Sequence, residues 1–246
     1  MTQDKDPMGA AIADFWRNGT AGRLRVFSPG FDEDEIPVET LFREWDEMPA
    51  LEQRALTEAR GRILDVGAGA GCHTLALSDM DKDATAIDIS PLSVATMQQR
   101  GLEARLEDFW CVGERYDTVL LLMNGLGIIG TCNALPRFFA HLDAILADGG
   151  QVLLESTDVR YLNETEEGEY DFDGLAETPD AATDQRYYGE MDYTMQYKRT
   201  RGAEFAWLYL DPDSLAKAAA ADGFQCDILL YGPDYNYLAR LSRKDS

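Results

Sequence analysis

A chain of 246 residues with 45% hydrophobic side chains can bury a core of ordinary size, so disorder is not its default state. Its formal net charge is −23, with 45 acidic against 22 basic residues, and such a surface repels phosphate backbones and anionic lipid headgroups, excluding a nucleic-acid partner held by a broad basic face. No apolar run approaches the roughly 20 residues that span a bilayer, and the polar start, Met1 to Pro7, lacks the basic and apolar regions of a signal peptide, so a cytoplasmic protein with no membrane partner is expected.

In chain order, Met8–Arg17 reads as a first helix and Pro29-Gly30 as a turn. Val38–Trp45 and Pro49–Arg60 read as two more helices, the second with Pro near its start and an apolar face of Leu51, Ala55, Leu56 and Ala59. Residues 1–61 are therefore expected to form an N-terminal helical cap, and residues 62–246 the main domain. From Arg62 strands and helices alternate. Ile63–Val66 is a first strand, a helix begins at Cys72–Ser78, and Ala84–Ile87 is a second strand. Ser90-Pro91 opens the next helix, with Ser as N-cap and Pro at the first helical position, and this helix runs to about Arg100. Glu103–Leu106 is a weak third strand, and Thr118–Met123 is a fourth whose continuous apolar run suits burial on both faces. A long helix opens near Asn133 and ends at Asp148-Gly149-Gly150, followed by a fifth strand, Gln151–Glu155. Alternation of this kind specifies a doubly wound, Rossmann-like α/β fold, a mostly parallel sheet between helices.

The C-terminal part departs from that rhythm. Glu164 to Asp184 holds nine acids and no Lys or Arg, either a solvated surface or, with the rest of the charge, an adaptation to a salty cytoplasm. Tyr187–Tyr197 then alternates, with Tyr187, Met191, Tyr193, Met195 and Tyr197 on one face, and Phe205–Leu210 reads as its partner. An acidic loop and hairpin are thus inserted at about 160–210. Asp211-Pro212 caps a helix to about Ala221, and Phe224–Tyr231 and Tyr235–Leu241 read as closing strands. The cysteines Cys72, Cys111, Cys132 and Cys226 form no CxxC pair, and with two histidines there is no metal-type spacing, so reduced thiols and no metal are expected.

The strongest local signal is Asp65-Val66-Gly67-Ala68-Gly69-Ala70-Gly71, a strand ending in a glycine turn that feeds a helix. Glycine lets backbone approach a ligand closely, and ligands of such sheets bind beyond the carboxyl ends of the strands. Nicotinamide dinucleotide sites favour G-x-G-x-x-G, whereas here the third glycine comes one residue early. Asp88 ends the second strand, 23 residues after Asp65, where a carboxylate can accept both hydroxyls of a ribose or simply cap the next helix.

On these residues the chain resembles the class I S-adenosylmethionine-dependent methyltransferases over roughly residues 60–156. Asp65–Gly71 resembles the family's first motif and Asp88 its ribose acid, with Ile89 beside it. Glu107-Asp108-Phe109 resembles the adenine segment, which implies that Asp108 meets the adenine amino group and Phe109 covers the ring. Asp117–Gly125 resembles the fourth-strand motif, implying that Met123, Asn124 and Gly125 face the sulfonium, and Leu146–Val152 resembles the turn into the fifth strand. The resemblance implies seven strands with the last antiparallel, S-adenosyl-L-methionine as cofactor and S-adenosyl-L-homocysteine as product. It is greatest to bacterial small-molecule methyltransferases of type 11 or type 25, and to a bacterial group sharing the phrases at Leu122–Gly127 and Tyr187–Glu190.

Asn124 is not followed by the Pro-Pro-aromatic sequence of enzymes that methylate exocyclic amines of bases, which points to a small-molecule methyl acceptor. The alternative is a non-catalytic S-adenosylmethionine- or S-adenosylhomocysteine-binding protein. His73 opens the helix after the glycine turn and is the candidate for a catalytic or carboxylate-binding role, against simple packing there. His141 reads as a surface residue. The Tyr/Met face of the hairpin is expected to line an acceptor pocket, or else to be a packed sheet surface or a homodimer contact.

Overall fold

The computed structural model describes residue 2, residues 5–179 and residues 185–244, so the end of the acidic stretch, at 180–184, lies outside the described residues. Asp6 opens the first helix, α1 (Pro7–Asn18), by accepting the Gly9 N–H at 2.8 Å, and Pro7 takes a position that needs no donor. Two short strands follow, β1 (Leu24–Phe27) and β2 (Asp34–Ile36), paired antiparallel. The N-terminal cap is therefore not purely helical. Four residues alternating Leu, Arg, Val and Phe are too few to carry a period, and the strand exists because a distant strand completes it. Val38–Phe42 winds as a 3-10 turn rather than the expected longer helix, and α2 (Ala50–Glu58) falls where predicted.

The main domain continues with β3 (Ile63–Val66), α3 (Cys72–Asp79), β4 (Ala84–Asp88), α4 (Pro91–Gln99), β5 (Ala104–Leu106) and β6 (Tyr116–Leu121). Then come α5 (Leu135–Ile145), β7 (Leu146–Thr157), β8 (Glu190–Tyr197), β9 (Thr200–Arg201), β10 (Phe205–Leu208), α6 (Pro212–Ala221), β11 (Phe224–Tyr231) and β12 (Asn236–Arg243). The helix expected to reach Gly150 stops at Ile145. Residues 146–150 are extended instead, with an irregular register against β6 that Gly149, at φ 69°, accommodates.

Seven strands form one sheet in the order β11-β12-β7-β6-β3-β4-β5, parallel except β12, which runs antiparallel to both neighbours. This is the doubly wound Rossmann-like architecture anticipated, with its last strand reversed. On one face Leu64, Val119, Leu121 and Val152 pack with Phe138, Phe139 and Leu142 of α5 and Leu215 of α6. On the other, Ile63, Leu120 and Leu153 pack with Leu51 and Leu56 of α2 and Leu77 of α3. Each of these side chains is nearly sealed from water, and full burial of a residue of this size contributes about 1.5–3 kcal/mol.

A second sheet runs β10-β8-β1-β2, with β9 on β8. Pairing of Leu24 with Tyr197 and of Val26 with Met195 puts these four side chains on one face. Leu24 and Tyr197 bury themselves against Ala11 of α1 and Val38. On β10, Trp207 stands where a Cβ on Gly127 would be, just after β6. The sheet thus roofs α1 and the carboxyl edge of the main sheet. On its Tyr/Met face, Tyr197 and Met195 pack with Ala11 and Met8 of α1, as a packed sheet surface does.

Candidate active site

The glycine turn is built around positive backbone angles: φ is 67° at Gly67, 58° at Gly69 and 81° at Gly71, a region costly for any residue with a Cβ. The Gly67 and Ala68 amides both donate to the Ile87 carbonyl, at 2.9 and 3.1 Å, which ties β3 to β4. A Cβ on Gly67 would meet nothing within 4 Å, so this residue borders open space. Gly71 differs, since a Cβ there would sit 2.6 Å from Leu102 and crowd Met97. Its small size is required by that packing.

Asp88 closes the turn from the end of β4. Its Oδ2 accepts the Gly69 N–H at 2.9 Å and its Oδ1 the Ser90 N–H at 2.8 Å. Each oxygen keeps a lone pair for another donor. Burial, aided by the charges of Asp6 and Asp65, pushes this acid up to about 6 against those two hydrogen bonds. Beside it, Ile89 is 48% exposed, and Leu106, paired with Asp88 across β4 and β5, is 59% exposed. Two large apolar side chains left bare at adjacent strand ends make walls for a flat ring. Leu106 was missed in the sequence because nothing but its position marks it.

Asp108 is exposed and its Oδ1 accepts the Trp110 N–H at 3.0 Å. Phe109 is not an exposed ring cover. It is 4% exposed and packs on Phe138, Trp110 and His141, because the 3-10 turn Phe109–Cys111 rotates it into the core. His141 is half-buried, not a surface residue, and its Nε2–H donates to the Phe109 carbonyl at 2.7 Å.

After β6, Met123 and Asn124 are both left-handed, with φ 54° and 58°, a strained pair that turns the chain back at the sheet edge. The strain is held by specific bonds. The Met123 N–H donates to Glu155 Oε2 at 2.8 Å, and Thr157 Oγ1 donates to Asn124 Oδ1 at 2.7 Å. Gly125 then starts a 3-10 turn, where a Cβ would come within 3.2 Å of Leu121. Met123 is left 37% exposed at the edge.

Behind the turn lies a buried charge cluster that no local pattern announces. Asp65, 2% exposed, accepts from Thr74 Oγ1 at 2.6 Å, and burial pushes its carboxyl upward. His73 is 5% exposed with Nε2 on Glu52 Oε2 at 2.7 Å, and Glu52 also pairs with Arg43. Burial opposes charge on both, yet Cys72, Glu52 and Asp65 hold His73 well above its usual range, while His73 and Arg43 draw Glu52 below its own. The candidate catalytic His73 thus lies buried behind the turn with its Nε2 engaged by Glu52. Glu155, 6% exposed, is pushed up to about 7 by burial and then by Glu52. Its Oε1 and the Nε of Arg43 are sealed from water with no hydrogen-bond partner.

The N-terminal helix covers the turn. Ile12 Cδ1 would lie 3.9 Å from a Cβ on Gly69, and Ser90 Oγ donates to the fully buried Asp6 at 2.6 Å. A separate polar hollow, lined by Glu58, Arg60, Gln151, Asp227 and Arg240, lies at the opposite ends of the strands and takes no part in this arrangement.

An acid-flanked glycine turn at the carboxyl edge of a parallel sheet, with a reversed last strand, defines a class I methyltransferase fold. The comparisons agree. The model of the family described as "Methyltransferase domain" matches residues 39–228. An S-adenosylmethionine-dependent methyltransferase from Bacteroides fragilis, solved with S-adenosyl-L-homocysteine, is 48% identical, with 99% of this chain and 97% of that chain covered and a TM-score of 0.90. An amino pentose methyltransferase from Micromonospora echinaspora is 20% identical over 82% of this chain and 92% of its own, with a TM-score of 0.52. A sugar N-methyltransferase from Streptoalloteichus is 19% identical over 89% and 97%, with a TM-score of 0.54, and these two likenesses speak for the fold alone. No protein of curated function matches. The chain belongs to the S-adenosylmethionine-dependent methyltransferases. It is an enzyme with S-adenosylmethionine as its cofactor and methyl transfer as its activity, which sets aside the non-catalytic alternative.

Proposed function

We propose that this enzyme methylates a small molecule, not a nucleic acid, in a crevice bounded by Gly67, Ala68 and Gly69, by Asp88 and Ile89, and by Met123, Asn124 and Gly125. Asp88 carries the reading: a carboxylate clamped by the Gly69 and Ser90 amides retains acceptor capacity beside the open face of Gly67. It would take the ribose hydroxyls, with Ile89 and Leu106 flanking the adenine and Asp108 at its rim. The bound cofactor supplies a methyl group already activated on a sulfonium. What remains for the protein is alignment and exclusion of water. The strained Met123-Asn124 turn, pinned to Glu155 and Thr157, fixes one wall of the transfer point. The second sheet supplies the other: Tyr193 and Tyr209 join hydroxyls at 3.3 Å, and Phe205 and Trp207 pack beside them. Aromatic walls of this kind suit a planar or cationic acceptor.

The cofactor site is tested by titrating S-adenosylhomocysteine into the wild-type protein and Asp88→Ala. Loss of charge-assisted ribose bonds is expected to weaken binding by about tenfold or more. Equal affinity would remove Asp88 from the site. A screen of small metabolites with labelled cofactor tests the acceptor class, and methylation of oligonucleotides but no metabolite would overturn it.

A further inference from the structure

We propose that Arg43 and Glu155 form the receptor for the amino-acid end of the cofactor, Arg43 Nε donating to its carboxylate and Glu155 Oε1 accepting from its ammonium. This rests on the reading above, that the cofactor crosses the turn at Gly67.

The observation behind it is a pair of buried atoms left without partners, one a cationic donor and the other an acceptor of opposite charge. Leaving either unmade is costly, so a native structure is expected to supply something to both. They do not supply each other. Each feels the other's charge, but no ion pair joins them among the described residues. A lone cation would be repelled by the guanidinium and a lone anion by the carboxylate. A zwitterion presents one charge to each.

Both atoms are held in place from behind. Arg43 donates to the Thr40 carbonyl at 2.7 Å and to Glu52, which His73 fixes in turn at 2.7 Å. That leaves Nε as the free edge of the guanidinium. Glu155 is anchored through Oε2 by the Met123 N–H at 2.8 Å, which leaves Oε1. Strand register completes the placement. Asp65 pairs with Leu120 and Leu120 with Leu153, so two residues further on Glu155 stands level with Gly67, across β6. Asp88 on β4 and Glu155 on β7 therefore stand at the carboxyl ends of strands on either side of β3 and β6. A nucleoside anchored at Asp88 would reach Glu155 only with its amino-acid tail.

The test separates tail from nucleoside by calorimetric titration with S-adenosylhomocysteine and with 5′-methylthioadenosine, which lacks the amino acid. Glu155→Gln keeps the acceptor for Met123 and removes the charge. Arg43→Lys keeps a cation for Glu52 and removes Nε. Each is expected to weaken S-adenosylhomocysteine by about tenfold or more, and to leave 5′-methylthioadenosine within about twofold. Unchanged affinity for S-adenosylhomocysteine in both variants overturns the assignment, as does an equal loss of both ligands in both variants. If the wild-type protein binds neither ligand, the failure belongs to the cofactor site as a whole.

Discussion

Replacing Glu155 with Gln is expected to make the ligand-free protein more stable above neutral pH. Burial raises this carboxyl from 4.5 to about 7. The folded state therefore binds its proton more tightly than the unfolded chain does, and stability falls as pH rises from about 4.5 through 7. At roughly 1.4 kcal/mol per unit, the ionised form costs about 3 kcal/mol at pH 8. Gln abolishes that cost and keeps the acceptor for the Met123 N–H, but it leaves an amide N–H₂ where Oε1 was unpaired, at about 1–2 kcal/mol. The net gain at pH 8 is about 1–2 kcal/mol, or about 2–8 °C in melting temperature for a chain of this size. The assay is thermal unfolding of both proteins between pH 5 and 8. Subtracting one curve from the other cancels the contribution of Asp88, which is raised in the same sense. The variant's advantage should grow with pH. A difference that stays flat across that range would refute both the buried, unpaired placement of Glu155 and the energetic argument built on it.

Asp88, pushed up to about 6, loses acceptor capacity when protonated, so affinity for 5′-methylthioadenosine should fall as pH drops from 7 to 5; a flat profile by calorimetry would contradict its ribose role. Gly127→Ala places a methyl group on the Trp207 indole and should destabilise the protein by about 1–3 kcal/mol, read by denaturant unfolding, with the roofing sheet displaced. Asp6→Ala removes the N-cap of α1 and the acceptor for Ser90 Oγ; about 1–2 kcal/mol should be lost, and S-adenosylhomocysteine should leave faster in a stopped-flow chase. With a net charge of −23, unfolding free energy should rise from low to molar KCl, and indifference to salt would remove the idea of a salt-adapted surface.

The readable parts of the sequence were those with a local cause. A buried parallel strand needs a continuous apolar run, and Thr118–Leu121 supplies one. The glycine turn needs positive φ, and Gly67 and Gly69 sit there with Asp88 clamped to the second of them. The less readable parts have causes spread along the chain. β1 is a strand because β8, far away in sequence, pairs with it. Phe109 followed the expected motif order, yet the 3-10 turn capped by Asp108 swung its ring into the core. Gly71 looked like its two neighbours, but its reason is the close approach of Leu102 and Met97.

The same contrast explains why His73 was singled out and Glu155 was not. A histidine at a helix start after a glycine turn is conspicuous, whereas a glutamate ending a strand is ordinary. Folding reverses their standing. His73 acquires Glu52, and through it Arg43, a chain of contacts that ties α3 to α2. Glu155 acquires one amide and is left one oxygen short. A protein that needed only stability would replace such a residue, because an apolar or amide side chain there carries a smaller penalty. Asp65, Asp88 and Glu155 all lie at the carboxyl ends of neighbouring or near-neighbouring strands, and burial raises all three. Burial thus disfavours the charged form of three carboxylates along this edge, while the unpartnered Arg43 Nε beside them asks for an acceptor. A nucleoside with an amino-acid tail, placed as proposed, would bring hydroxyl donors to Asp88 and an ammonium to Glu155, so its binding would be linked to the protonation of both acids.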